Sequence, residues 1–134
     1  MEIREYTVFN ENEILELYSK AGWTAYTKDM KSLRQGFEHS LLVLGAFEKD
    51  KLVGIIRAVG DGFTVVLIQD LLILPECRRK GIGSELVREL LERYEDVRQI
   101  QLVTDDVEEN IAFYKSLGFI ELSEDGCLGL WRIK

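Results

Sequence analysis

Apolar residues recur along this chain with two spacings, about 2 in some stretches and about 3.6 in others, and the switches between them mark its elements. Residues 3–8 are a short β-prone opening. Asn10, with Glu13 three positions on, reads as the N-cap and capping partner of a helix over 11–21 that buries Ile14, Leu17 and Tyr18. The stretch 22–26 breaks that pattern, and Thr27 is placed to cap a second helix over 28–38 with Met30, Leu33 and Phe37 on one face. Two β-branched-rich runs, 41–48 and 52–61, flank Lys49-Asp50-Lys51 and read as an antiparallel hairpin. Asp61-Gly62 turns the chain into the longest predicted strand, 63–74.

Residues 83–95 return to the helical spacing with Leu86, Val87, Leu90 and Leu91, and charges fill the opposite face. A buried strand over 100–104 and a helix over 108–117, stopped by Gly118, follow. Residues 119–122 and 127–133 read as a closing hairpin around Glu124-Asp125-Gly126. The order β-α-α-β-β-β-α-β-α-β-β contains a strand-helix-strand crossover between 63 and 104, which demands a parallel pair inside a mostly antiparallel sheet. The fold class is therefore mixed α/β, or α+β, with helices flanking a central sheet.

Composition narrows what such a fold does. The chain's 134 residues suit one domain, 1–134, and 46% apolar with 31% charged residues is the balance of a soluble protein. The opening residues lack the order of a signal peptide, and the apolar runs fall short of the ~20 residues that cross a bilayer, so a cytoplasmic location with no membrane partner is expected. A net charge of −7 argues against nonspecific nucleic-acid binding. Cys77 and Cys127 lack metal-ligand spacing and read as reduced thiols, and the single histidine, His39, cannot complete a zinc site with them; no metal is expected.

Against this acidic background stands one tight basic cluster. Residues 75–84 read Pro-Glu-Cys-Arg-Arg-Lys-Gly-Ile-Gly-Ser, between the long strand and the helix that follows. A strand that turns through a basic Gly-x-Gly segment into a helix points backbone N–H groups at an anion. Gly81 and Gly83 allow close approach of the backbone, and Arg78, Arg79 and Lys80 add positive charge; a solvated surface turn is the plainer reading of those three charges. The missing third glycine excludes a dinucleotide-binding fingerprint, and the absence of Gly-Lys-Ser/Thr at the required spacing excludes a Walker loop.

The pattern Pro75-x-x-Arg78-x-x-Gly81-x-Gly83 resembles the acetyl-coenzyme A binding turn of the GNAT superfamily of N-acetyltransferases, and Asn110-Ile-Ala-Phe-Tyr114-Lys-Ser-Leu-Gly118-Phe119 resembles that family's second signature. The resemblance implies a GNAT-like sheet and an acyltransferase that moves an acetyl group from acetyl-coenzyme A, its cosubstrate, to a primary amine by direct attack. It implies that Leu71, Leu72 and Ile73 offer main-chain groups to the pantetheine arm. The turn Arg78, Arg79, Lys80, Gly81, Ile82, Gly83 and Ser84 would hold the diphosphate, and Asn110 would hydrogen-bond near the pantetheine. Tyr114 would be the general acid at the sulfur, a role that suits a phenol of pKa ~10.

The family's proton acceptor is harder to place. Gln69 stands where many members carry a glutamate or histidine and cannot take a proton, so Asp70 is the candidate base; a buried hydrogen-bond organiser is the other reading of the same residue. Trp23 and Tyr26 are candidate acceptor contacts or a lid on the core; the acidic balance favours a cationic small molecule over an acidic one, and a small molecule rather than a protein is the expected acceptor. The alternative to an enzyme is a noncatalytic acyl-coenzyme A binding module or sensor. Pairing of the closing hairpin between copies makes a homodimer a candidate assembly.

Overall fold

The expected hairpin and parallel pair meet in one five-stranded sheet, seen in a computed structural model that describes residues 1–134. Two compact units divide the chain, Met1–Val103 and Thr104–Lys134. The first contains β1 (Glu2–Glu5), α1 (Glu11–Lys20), a helical turn α2 (Thr24–Thr27), α3 (Met30–Glu38), β2 (Leu42–Glu48), β3 (Lys51–Gly60), β4 (Val65–Ile73), α4 (Ile82–Arg93) and β5 (Gln99–Leu102). The strands lie in sequence order, antiparallel throughout except for β4 and β5, which run parallel on either side of α4.

β2 and β3 are buried over nearly their whole length, on both faces, which is why they read as continuous apolar runs rather than alternations. Their two faces are covered by different helices. A Cβ on Gly54 would meet Ile82 of α4 at 3.6 Å, and one on Gly36 of α3 would meet the Arg57 guanidinium at 3.2 Å; Gly54 and Arg57 are an odd number of residues apart along β3. The core between these layers includes Ile14, Leu17, Leu44, Ile55, Ile56, Leu86 and Leu90, each no more than 1% exposed.

Several boundaries differ from expectation for local reasons. α3 starts at Met30, not at residue 28, because the Asp29 carboxylate accepts the Ser32 N–H at 3.0 Å and the Ser32 hydroxyl at 2.8 Å; Thr27 ends α2 instead of capping α3. β4 starts at Val65, not at residue 63. The Asp61 carboxylate accepts the Thr64 hydroxyl at 2.6 Å and the N–H groups of Phe63, Thr64 and Val65 at 2.8, 2.7 and 3.1 Å, and these four hydrogen bonds, the hydroxyl's first among them, depress its pKa far below the ordinary carboxylate range.

The second unit holds α5 (Glu108–Ser116), which ends at Gly118 with φ +95°, and a 3-10 turn over Leu122–Asp125. The expected closing hairpin is absent. Glu121 and Glu124 form a reciprocal capping box that bends 121–126 into the turn, and residues 127–134 belong to no strand. No helix is long and apolar enough to cross a membrane.

Candidate functional site

β4 loses its two neighbours at different points. Its ladder with β3 continues to Gly54 opposite Ile73, whereas the parallel ladder with β5 stops at Ile68 opposite Leu102. Over residues 69–73 the strand is paired on one side only, so half of the main-chain groups around Leu71, Leu72 and Ile73 are left for a ligand. The register with β3 slips at the same place: Arg57 pairs with Asp70 and Ala58 with Ile68, so Gln69 stands opposite nothing, as the extra residue of a β-bulge.

Beyond β4 the Leu74 N–H donates to the Val53 carbonyl at 2.8 Å, and Pro75–Cys77 forms a 3-10 turn that buries Cys77. Arg78 is extended, its Nε 3.4 Å from the Ile73 carbonyl it donates to, and Lys80 is exposed. Arg79 and Gly81 both adopt left-handed backbone, φ +64° and +83°. Residues of that kind, set close together, curl successive N–H groups into a concave nest for an anion.

Space in front of the turn is open, since a Cβ on Gly81 would meet nothing within 4 Å; the glycine is required by its φ and not by crowding. Asn10 and Asp29 close the N-termini of α1 and α3 with side-chain hydrogen bonds, but no side chain caps α4. The first-turn amides of Ile82, Gly83 and Ser84 therefore have no intrahelical acceptor, and the helix dipole adds to their attraction for negative charge. Ile82 is 3% exposed and pins this end of the helix to the core.

In the second unit Asn110 donates from Nδ2 to Thr104 Oγ1 at 3.1 Å, and Tyr114 lies one helical turn later on the same face. The Tyr114 ring meets Phe113 and Phe119 edge-on, at 5.0 and 5.8 Å between centroids. Burial pushes its phenol pKa up from 10.0, so the hydroxyl keeps its proton throughout the neutral range.

A cleft of about 500 Å³ opens in the first unit beside the bulge, with Tyr26, Asp29, Ser32, Arg57 and Gln69 among its walls. Gln69 donates from Nε2 to the Tyr26 hydroxyl at 2.9 Å, and Tyr26 stacks on Trp23 at 5.9 Å with the rings 11° from parallel. Both rings abut Tyr18 edge-on. Tyr26 thus lines the cleft, and Trp23 backs it.

Beneath this wall lies a buried ionic network. Asp70 Oδ2 accepts from Arg57 Nε and from the Tyr18 hydroxyl, both at 2.7 Å, while its Oδ1 is buried with no partner. Burial works against the Arg57 charge, but the charge and hydrogen bond of Asp70 more than offset it and raise its pKa. Burial, reinforced by the Asp70 charge, raises the Tyr18 pKa well above 10.0. Because Arg57 is neutralised by Asp70, the remaining formal charge on the cleft wall is the Asp29 carboxylate, held ionised by the Ser32 hydrogen bonds that lower its pKa.

Arg57, Tyr18 and Asp29 were not among the expected site residues. Arg57 left a trace in the sequence, as the one charge inside the apolar run Leu-Val-Gly-Ile-Ile-Arg-Ala-Val. Tyr18 left none, because a tyrosine on an amphipathic stripe reads as core.

The sequence profile of the Acetyltransferase (GNAT) family matches residues 9–119 of this chain. An uncharacterized N-acetyltransferase, ycf52, from Gracilaria tenuistipitata var. liui is 30% identical over 128 residues, spanning 91% of this chain and 68% of that protein. The GNAT family acetyltransferase SP0256 from Streptococcus pneumoniae TIGR4 superposes with a TM-score of 0.90 at 40% identity, covering 99% of this chain and 97% of that one. The PaiA N-acetyltransferase from Thermoplasma acidophilum, solved in complex with coenzyme A, has the same fold, with a TM-score of 0.74 at 20% identity over 89% of each chain.

Proposed function

Because the chain belongs to the GNAT family of acetyltransferases, we propose that it moves the acetyl group of acetyl-coenzyme A to the primary amine of a small molecule by direct attack. One observation carries the donor half of this reading. The uncapped start of α4, with left-handed Arg79 and Gly81 before it, opens at the end of the half-paired β4. A diphosphate suits those amides and the Arg78, Arg79 and Lys80 charges, and a pantetheine amide suits the main-chain groups of Leu71, Leu72 and Ile73. Bound acetyl-coenzyme A supplies the activated thioester.

Direct attack forms a C–N bond between the amine and the acetyl carbon and breaks the C–S bond. Main-chain N–H groups of β4 beyond the bulge are donors suited to the oxyanion. Tyr114, kept protonated across the neutral range by its raised pKa, hands its Oη proton to the departing thiolate and is restored by the proton that the amine nitrogen sheds as the amide forms, and Asn110 orients the donor on the same helix face. The amine's proton has no base at Gln69.

Of the two roles open to Asp70, its hydrogen bonds to Arg57 and Tyr18 and its near-complete burial favour the organiser. The acceptor therefore attacks after losing its proton to water. The cleft beside the bulge is its site: the residual Asp29 charge and the Tyr26 face suit a cationic amine. Reduced Cys77 and Cys127 fit a cytoplasmic setting.

Calorimetric titration with coenzyme A tests the cradle. Gly81→Asp puts a strained side chain and a negative charge where the diphosphate would sit, and it is expected to weaken binding beyond detection. If Gly81→Asp binds as tightly as the unaltered protein, the cradle assignment is wrong.

A further inference from the structure

On the wall of the cleft beside the bulge, Arg57 is the charged side chain that is itself buried, at 6% exposed. Its donors are divided. Nε donates to Asp70 Oδ2 at 2.7 Å and Nη1 to Ser40 Oγ at 3.3 Å, and a Cβ on Gly36 would stand 3.2 Å from Nη1. Nη2 has no acceptor in the protein. Asp70 Oδ1 is the sole buried side-chain polar atom without a partner, so Nη2 reaches solvent, and the space on which Arg57 opens is the cleft. A planar guanidinium anchored from behind thus holds two unused N–H groups at a fixed place in a cleft of about 500 Å³.

Such a group donates and never accepts, so it recognises an atom with a lone pair, in practice an oxygen. Charge decides which oxygen. Asp70 already neutralises Arg57, and the Asp70 Oδ1 beside it is unpartnered. A ligand carboxylate would be a second anion on one buried cation, with the ionised Asp29 on the same wall. A hydroxyl or an amide carbonyl accepts the same hydrogen bond and adds no charge.

The acceptor nitrogen has a partner close by. Gln69 turns its Nε2 to the Tyr26 hydroxyl, which leaves its Oε1 to accept an N–H. Arg57 pairs across the sheet with Asp70, the neighbour of Gln69, and both Arg57 and Gln69 line the cleft. Adjacent strands lie about 4.8 Å apart, a gap that a nitrogen and an oxygen on neighbouring carbons bridge with one hydrogen bond each. We propose that the acceptor is a small amine carrying a neutral oxygen on the carbon next to the one that bears its nitrogen: a vicinal amino alcohol or an α-amino amide. Arg57 Nη2 donates to that oxygen, and Gln69 Oε1 accepts from the nitrogen. This rests on the cleft being the acceptor site and narrows the class of amine that enters it.

Four probes test it: isoamylamine, leucinol, leucinamide and leucine. They share one amine and one isobutyl chain, and differ in bearing hydrogen, a hydroxyl, a carboxamide or a carboxylate beside the amine carbon. Each is titrated into isotope-labelled protein, and the Arg57 Nε–H resonance is followed by NMR. Leucinol and leucinamide are expected to bind at least about tenfold tighter than isoamylamine and to move that resonance; leucine is expected to bind more weakly than either. The paired variant Arg57→Met, Asp70→Asn removes the guanidinium without stranding a carboxylate, and in it the preference for oxygen is expected to vanish.

Affinities of leucinol and leucinamide within about twofold of isoamylamine would overturn the proposal, as would leucine binding tightest, no binding by any of the four, or a preference that persists in the paired variant. The titrations of the unaltered protein decide the matter even if the variant does not fold. Acetylation of the same four amines separates this inference from the reading it rests on. A binding preference without acetylation upholds the oxygen site and removes the transfer reaction; acetylation of all four at equal kcat/KM does the reverse.

Discussion

Asp70→Asn separates the two roles of Asp70 because each predicts a different loss. The ion pair with Arg57 is 2.7 Å long, with side-chain exposures of 7% for Arg57 and 0% for Asp70. Removing one charge from a buried pair strands the other without water or counter-charge, at about 3–5 kcal/mol. Tyr18 keeps a neutral acceptor in the asparagine, so its contribution to the loss is small. Set against a total stability of about 5–15 kcal/mol for a chain of this size, the urea midpoint should fall by roughly 2 M at an m-value near 2 kcal/mol/M.

Arg57→Met alone should cost a similar amount by stranding the carboxylate. The double variant Arg57→Met, Asp70→Asn removes both charges and should cost far less than the sum, giving a coupling energy of about 3 kcal/mol or more. The assay is urea unfolding followed by circular dichroism, with turnover measured on Asp70→Asn at a temperature where it is folded. An organiser predicts kcat within about tenfold of the unaltered enzyme; a general base predicts a loss of about 10²–10⁴. Additive destabilisation in the cycle, or normal stability with turnover lost, would refute the organiser.

Tyr114→Phe should lower kcat by about 10²–10⁴ with little change in KM, since the hydroxyl acts on the leaving sulfur and not on acceptor binding; steady-state kinetics reads this directly. kcat/KM should rise with pH along the ionisation of the acceptor amine and show no fall below about pH 10, because the Tyr114 pKa is raised above its ordinary value. Gln69→Glu, which sets a carboxylate at the bulge, should shift that acidic limb to lower pH. Tyr18 and Tyr114 both have folded-state pKa values raised above 10.0, so the stability they contribute is complete below about pH 10 and lost as pH climbs through their folded values, readable as a falling urea midpoint in that range.

Local chemistry was legible where it acts over a few residues. The Asn10 cap, the turn at Lys49-Asp50-Lys51 and the glycine at the start of α4 each depend on neighbours in sequence, and the apolar runs of β2 and β3 announce a strand buried on both faces. The helix start at Met30 was misplaced because Thr27 and Asp29 both qualify as caps, and only the backbone shows which carboxylate or hydroxyl reaches a free N–H. Asp61 shortened β4 by the same kind of competition. The bulge at Gln69 and the Arg57–Asp70–Tyr18 network depend on cross-strand register and on contacts 13 and 52 residues apart, which periodicity does not encode. The closing strand read over 127–133 did not form: the reciprocal capping box of Glu121 and Glu124 turns the chain before it, a local competition that apolar content alone does not reveal.

Amine-dependent thiol release from acetyl-coenzyme A, with the product identified by mass spectrometry, tests the central claim most directly. The account predicts that a panel of small cationic amines contains acceptors whose acetylation matches thiol release one for one, with Tyr114→Phe slow and Gly81→Asp inactive. Tight coenzyme A binding with no turnover on any amine of the panel would contradict it and leave a binding module in place of an enzyme.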